Sequence, residues 1–541
     1  MTTDVTSGAR ADTTTPDTTN DGDSTDRRGR VLLIGLDAAD AGILMSLVER
    51  GDLPNLRAMR DHGAWGIVTS PRGFGSGAVW PSFATGVSPA KHGRYFYRQV
   101  SPGSYAAEKF EAEQFAADPI WTHVARSGRS IAVFDVPKVG LSEDIDGVVA
   151  VDWISHGPVY DHVQTWPESF RDELHGRFGP NPLWKCDLPG GRDAEQMTRF
   201  MQQMADRIDQ RERATKHYWN EGYDLLITVF AEPHCVGHQG WHIRDEHHPM
   251  HDAAARARLG DPIATVYRQI DDAIGRLVAE VDDDTTVIVF SGTGMGPNYT
   301  GNHLLEEILR AIDHDKPTLA AGVTNQAKQL LKRIMPPEVR RRTQRLKRHV
   351  EEQAFAGDRA RRKSFTVPHN DIAGAVRLNI AGREATGTLQ PDEVDDYIEH
   401  LRTELLALRN ADTGRPVVTD VVRISDEHEG DWVDHLPDLF VVWNRDEPID
   451  RVTSDTIGTL EYRNRGNRTG DHSPDNIFFA VGPGVVAGLT ENVQLYDFAP
   501  TLCELLGVPV PPTDGTPIEA VRSGVSRASG RPTRTAESLA P

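Results

Sequence analysis

The sequence predicts an α/β protein: a mostly parallel sheet sandwiched by helices, with an inserted smaller α+β subdomain. Three observations predict it. Short apolar runs bounded by turn residues recur along the chain. Stretches with helical spacing alternate with them, as when crossover helices join parallel strands. Beyond about residue 304 this texture stops, and it resumes near residue 430.

The N-terminus, "MTTDVTSGARADTTTPDTTNDGDSTDRRGR", is rich in Thr and Asp. It has no basic start and no apolar h-region, so it reads as a disordered tail and not as a signal peptide. Order begins at "RVLLIGLDAADAG", where Val31 to Leu36 reads as a buried strand meeting a loop. "ILMSLVERGDLPNLRAMRDHGAWG" follows with helical spacing and a Gly stop. "SIAVFDVP", "YDLLITVFAEP" and "DTTVIVFSG" are further short strands. Between the last two, Val266, Ile270, Ile274 and Leu277 share one face of a helix. The region after 304 opens with a basic helical run, "QLLKRIMPPEVRRRTQRLKRHVEEQAF", read as a solvated helical insert. "SFTVPHNDIAGAVRLNIAGREATG" and "EVDDYIEHLRTELLALRN" then form a small α+β unit. The main sheet resumes with "LPDLFVVW" and "DNIFFAVGPGV", and "LYDFAPTLCELLGVPVPP" is a last helix stopped by Gly and Pro. The expected boundaries are a tail over 1–29, core over 30–305, insert over 306–430, core over 431–518 and a tail over 519–541.

Composition narrows the function. The net charge is −21, and arginine greatly outnumbers lysine. That charge opposes nonspecific binding to nucleic acid or anionic membrane. No apolar run approaches the ~18 residues that span a bilayer. Cys186, Cys235 and Cys503 are too few for a disulfide framework. The expected compartment is the cytoplasm, and the expected partner is a small molecule. The sequence leaves oligomeric state open.

Four places carry chemistry. Asp37 is a carboxylate at the end of the first strand. "SPRGFGSGAVWPSFATGVSPAKHG" sets Ser76 among Gly73, Gly75 and Gly77, an uncrowded bend of the kind that exposes a nucleophile. The same glycines also suit an ordinary loop. "EPHCVGHQGWH" places His234 and His238 four apart, on one face of a helical turn, a common way to give one zinc two imidazoles. Glu232 and His242 are nearby reserves. "RTGDHSPDNIFFAVGPG" adds Asp471 and His472 just before a strand.

In order and texture these segments resemble the alkaline phosphatase superfamily, in its type I phosphodiesterase/nucleotide pyrophosphatase-like branch. The resemblance spans most of 31–305 and 430–515. Its most specific marks are Thr85 to Gly93 and "APTLCELLGVPVP". It implies an alkaline phosphatase-like core with two zinc-type ions at the carboxyl edge of the sheet. It also implies a Ser or Thr that attacks phosphorus, forming a covalent phospho-enzyme that water hydrolyses; metals assist by lowering the nucleophile's pKa and neutralising charge. Residue by residue, Asp37 matches the first-strand ligand and Ser76 the nucleophile. His238 and His472 match histidines of the first metal, and His92 matches the histidine of the "HG" mark, read as structural.

Two positions depart. The family usually has aspartate at His234. It usually reads Ser-Asp-His-Gly-Met where this chain has Ser291, Gly292, Thr293, Gly294 and Met295, so the second metal's usual Asp and His are missing. His234, His238 and His472 still make a sufficient zinc set with water. The expectation is therefore one firmly bound divalent ion, zinc in type, with the second site reduced to Asp37 and Ser76. Thr293 is kept as a neutral contact, and His303 has no assignable place. Arg377 and Arg383, in "VRLNIAGRE", are substrate-side candidates for a phosphate oxygen beside their ordinary role in sheet and turn. The implied activity is hydrolysis of phosphoric esters, either phosphodiester or nucleotide pyrophosphate bonds. Two alternatives stay open: a degenerate pseudo-enzyme that binds a phosphorylated ligand or partner, and a phosphonate or sulfate ester hydrolase. Ser76 lacks the following x-Pro-x-Arg of sulfatases.

Overall fold

The structure, a computed structural model, describes residues 29–522 except 111–115, 157–161, 184, 189–191, 315–355, 370–371, 463–467 and 475. The N-terminal tail up to residue 28, the basic run within 329–355 and the chain beyond 522 lie outside the described residues. Ala520 and Val521, placed by their sequence in the C-terminal tail, are buried in a short turn, so the ordered chain passes the expected boundary at 518.

The principal strands in chain order are β1 (Arg30–Leu36), β2 (Ala64–Thr69), β3 (Ile131–Phe134), β4 (Gly147–Val151), β5 (Gln164–Trp166), β6 (Leu225–Phe230), β7 (Thr285–Ser291), β8 (Gly294–Pro297), β9 (Ser364–Thr366), β10 (Gly374–Leu378), β11 (Val418–Arg423), β12 (Leu439–Trp443), β13 (Gly470–Ser473), β14 (Asn476–Val481) and β15 (Val493–Gln494). Nine of them form one sheet in the order β15–β2–β14–β7–β1–β6–β3–β4–β5. Its central pairings, β7 with β1, β1 with β6, β6 with β3 and β3 with β4, are parallel. β14 runs antiparallel to both β2 and β7.

β1 is a continuous apolar run because both faces of the sheet are covered. Leu32, Ile34 and Leu36 pack into one core layer, and Val31 and Leu33 into the other. Four helices matter to the site: α1 (Ser76–Thr85), α2 (Glu232–Arg244), α3 (Pro262–Val278) and α4 (Phe498–Leu506). α3 starts where the Asp261 side chain accepts from the backbone N–H groups of Ile263 and Ala264, with Pro262 in the first turn. It buries Val266, Ile270, Ile274 and Leu277, the face its sequence predicts. Each such side chain contributes roughly 1.5–3 kcal/mol on burial. The single helical stretch expected after Asp37 is two helices, Ala41–Arg50 and Pro54–His62. Gly51 (φ 81°) ends the first in the left-handed region, and Pro54 opens the second.

A second sheet has the order β9–β10–β12–β11 and is antiparallel throughout. β12 thus belongs with the smaller unit, not with the main sheet as its sequence suggested: Val376 of β10 lies opposite Leu439. A five-residue apolar run shows that a strand is buried but not which sheet it joins.

Register sets the site. Leu36 stands opposite Phe230 of β6 and Ser291 of β7. Asp37, Ala231 and Gly292 therefore leave the carboxyl edge at the same level, where ligands bind in open α/β sheets.

Candidate metal centre

Asp37 is fully buried. Trp80, one turn into α1 from Ser76, donates its indole N–H to Asp37 Oδ1 at 2.8 Å. Asp37 Oδ2 lies 3.4 Å from His156 Nδ1. Burial pushes the Asp37 carboxyl pKa up, but the contacts with His156 and Trp80 outweigh it, and the net pKa is below the usual range. The ordinary state of this group is the carboxylate.

α2 leaves β6 through Ala231 and carries His234 and His238 on successive turns. β13 carries His472, opposite Met295 of β8. The three rings converge, with centroids 4.4 Å apart for His234–His238 and 5.1 Å for each of the other pairs. One nitrogen of each lies within 4.8 Å of the others, and all three residues are buried. His238 Nδ1 is 2.7 Å from the carbonyl oxygen of Gly470. A carbonyl only accepts, so Nδ1 carries the proton and Nε2 keeps its lone pair. Gly237 permits this approach: a Cβ there would stand 2.6 Å from Met295 Cγ. Arg445 holds the His472 strand by donating to the backbone oxygens of His472, Pro297 (2.8 Å) and Asp471 (3.1 Å).

Burial drives the histidines toward the neutral form. His234 and His238 lie well below the ordinary value, and His472 is pushed down to about 3. His234 Nδ1, His238 Nε2 and His472 Nε2 have no hydrogen-bond partner among the described residues. Orphaned buried polar atoms cost about 1–3 kcal/mol each. Their collection at one point is the mark of a ligand cradle, and neutral imidazole nitrogens are the donors a zinc-type ion takes.

Ser76 is the first residue of α1 and is buried. At positions i and i+4, Ser76 and Trp80 share a helix face. Thr293 Oγ1 lies 3.5 Å from His472 Nδ1. The turn that carries it is held by Ser291 Oγ, whose single proton is shared between the backbone oxygens of Ala39 (2.8 Å) and Thr293 (2.6 Å). Thr293 and Ser473 also line an apolar cavity of about 530 Å³ with Phe74, Ile372, Trp443 and Arg445.

Other expected residues do not join the cluster. Arg377 is buried in β10, bound to Glu384 at 2.6 Å and to the oxygens of Leu436 and Asp434 at 3.0 Å. Arg383 pairs with Asp438 at 2.6 and 2.7 Å. Both guanidinium groups tie the smaller unit together, through Glu384 and Asp438. Glu232 pairs with Arg207 at 2.9 Å, both fully buried, so it is not a spare ligand. His242 contacts Thr469 Oγ1 at 3.1 Å, and His303 Nε2 contacts the oxygen of Tyr462 at 2.9 Å. His92 is buried against Ser82 Oγ at 2.9 Å, a packing role.

Sequence reasoning missed His156, Lys138, Trp80 and Arg445. His156 follows β4, and its Nε2 lies 3.4 Å from Lys138 Nζ. Burial lowers the Lys138 ammonium to about 8. The signal for His156 was available, since β4 is another apolar run whose carboxyl end leads to a histidine. The cysteines also differ from expectation by one pair: Cys186 and Cys235 are bridged, and Cys503 is free and buried.

A mostly parallel sheet with a histidine–carboxylate cluster at its carboxyl edge defines an α/β protein with a candidate metal centre. The family profile "type I phosphodiesterase / nucleotide pyrophosphatase" matches residues 31–475, and the chain belongs to that family. No curated protein matches it in sequence. Among solved structures it is similar to murine ectonucleotide pyrophosphatase/phosphodiesterase 5. An inactive variant of that protein in complex with AMP is 13% identical, with 92% of this chain and 100% of that one covered and a TM-score of 0.49. The human counterpart is also 13% identical, with 91% and 99% covered and a TM-score of 0.47.

Proposed function

We propose that the protein hydrolyses phosphoric esters, phosphodiester or nucleotide pyrophosphate bonds, with Ser76 as nucleophile beside a zinc-type ion held by His234, His238 and His472. The observation that carries this reading is the convergence of three buried neutral imidazoles whose free nitrogens have no hydrogen-bond partner among the described residues. A bound divalent ion would supply charge neutralisation for the phosphoryl group and lower the pKa of a nearby hydroxyl.

The chain's own groups do the rest. Gly470 fixes the tautomer of His238, and Trp80 fixes one oxygen of Asp37. Ser76 Oγ forms a bond to phosphorus as the bond to the leaving oxygen breaks, the serine proton passing to water and the leaving oxygen taking one up from water. Water then cleaves the phosphoserine, returning the hydroxyl and releasing the phosphoryl product. The positive end of α1 favours the anionic group bound in front of it. The apolar cavity beside Thr293 accepts the organic part of the ester, and Thr293 offers that part a neutral hydroxyl.

The test is hydrolysis of bis-p-nitrophenyl phosphate against p-nitrophenyl phosphate by the zinc-loaded chain. The expected result is preference for the diester, abolished by chelation. Equal inertness toward both substrates with zinc bound would favour the pseudo-enzyme reading, for which the Gly292–Thr293 substitution is the specific observation.

Among the described residues no helix is long and apolar enough to cross a membrane. The reading takes the compartment as cytoplasmic, where thiols are kept reduced. Alkylation of the denatured chain straight from cells tests this against the Cys186–Cys235 bridge: three free thiols support the cytoplasmic reading, and Cys503 alone keeps the bridge and overturns that compartment.

A further inference from the structure

We propose that Asp37, His156 and His234 form a second cation site, displaced from the Gly292–Thr293 turn toward the loop after β4. This rests on the reading of the three histidines as a metal centre and adds a separate ligand set to it. One ligand atom from each of Asp37, His156 and His234 lies within 4.8 Å of the other two. The rings of His156 and His234 stack with centroids 3.9 Å apart. Asp37 Oδ2, His156 Nδ1 and His234 Nδ1 are buried without a hydrogen-bond partner among the described residues, and Asp37 Oδ2 stands 3.4 Å from His156 Nδ1. Two imidazoles and one carboxylate, with a fourth position open, are a zinc ligand set that permits catalysis. His234 is common to both groups, so with both ions bound its ring bridges them as an imidazolate, one nitrogen to each, its N–H proton passing to solvent.

His156 is held as a ligand needs to be. The Asp135 carboxylate, at the end of β3, accepts from the backbone N–H groups of Trp153 (2.6 Å) and Ile154 (2.7 Å). Arg207 donates to the Ile154 oxygen at 2.6 Å, and the Cys186 N–H donates to the His156 oxygen at 3.2 Å. A buried network thus fixes the approach to His156 from both sides. The opposite turn is not built for a carboxylate: a Cβ at Gly292 would stand 2.8 Å from Val79 Cγ1. The ligand missing on the β7 side is supplied from the β4 side.

A different arrangement uses the same atoms. Lys138 donates to His156 Nε2, and His156 Nδ1–H donates to Asp37, with no ion between them. Metal counting separates the two. The full chain is stripped with chelator, saturated with zinc, desalted and measured by elemental analysis, with thermal melting to show that each variant folds. We expect about two zinc ions per wild-type chain, about one in His156→Ala, about one in His238→Ala and about two in Lys138→Met. A wild-type chain with one ion, lost in His238→Ala, overturns this inference while leaving the proposed function standing. Two ions retained in His156→Ala overturn it as well. No zinc in the wild-type chain overturns both. A wild-type count of one overturns the inference even if His156→Ala fails to fold.

Discussion

Ser76 opens α1, and Gly292 follows β7 at the carboxyl edge of the sheet. Ser76→Ala is expected to lower diester turnover by roughly 10³-fold or more, with zinc content unchanged; retained turnover would remove Ser76 from the chemistry. Gly292→Asp, which writes back the family's usual carboxylate, is expected to destabilise the chain by about 1–3 kcal/mol, because its Cβ meets Val79 Cγ1 at 2.8 Å. Thermal melting of Gly292→Asp against Gly292→Asp with Val79→Ala checks this, the double variant recovering part of the loss. Spacing made His234 and His238 legible in the sequence, since i and i+4 meet on any helix. The partner of Arg377 was not legible, because sequence shows a guanidinium but not the Glu384 carboxylate that holds it.

Elements position the site, and their support is buried charge. α2 begins at Glu232, whose carboxylate meets Arg207 at 2.9 Å with both side chains fully buried. Burial raises the Glu232 pKa, and the Arg207 charge opposes that rise. Arg207→Met strands this carboxylate and is expected to cost about 3–5 kcal/mol, read by chemical denaturation; a change under 1 kcal/mol would show that the pair does not hold α2. Strands β1, β6 and β7 were legible because both faces of the sheet are covered, leaving unbroken apolar runs. The sheet to which β12 belongs was not legible, and neither was His156. Both depend on partners distant in sequence: β12 on β10, and His156 on Asp37.

At the scale of the whole molecule, buried neutral histidines link stability to pH. His92 and His472 are held down to about 3, by burial first. The unfolded chain takes up protons below about 6.5, whereas the folded chain refuses them until about pH 3. Stability is therefore full above about pH 6.5 and falls as pH drops toward 3, by up to ~1.4 kcal/mol per unit for each such histidine. Melting of the metal-free chain between pH 7.5 and 4.5 checks the sign, and a flat profile would contradict it. The main sheet and the order of its motifs were readable from sequence, but the small sheet's extent and the arrangement of the ligands were not, because register and loop closure decide them. The most direct test of the central claim is calorimetric titration of zinc into the chelator-stripped full chain, beside His238→Ala. Tight binding by the wild type is expected, with one fewer tightly bound ion in the variant. No zinc binding by the wild type, or equal binding by His238→Ala, would contradict it.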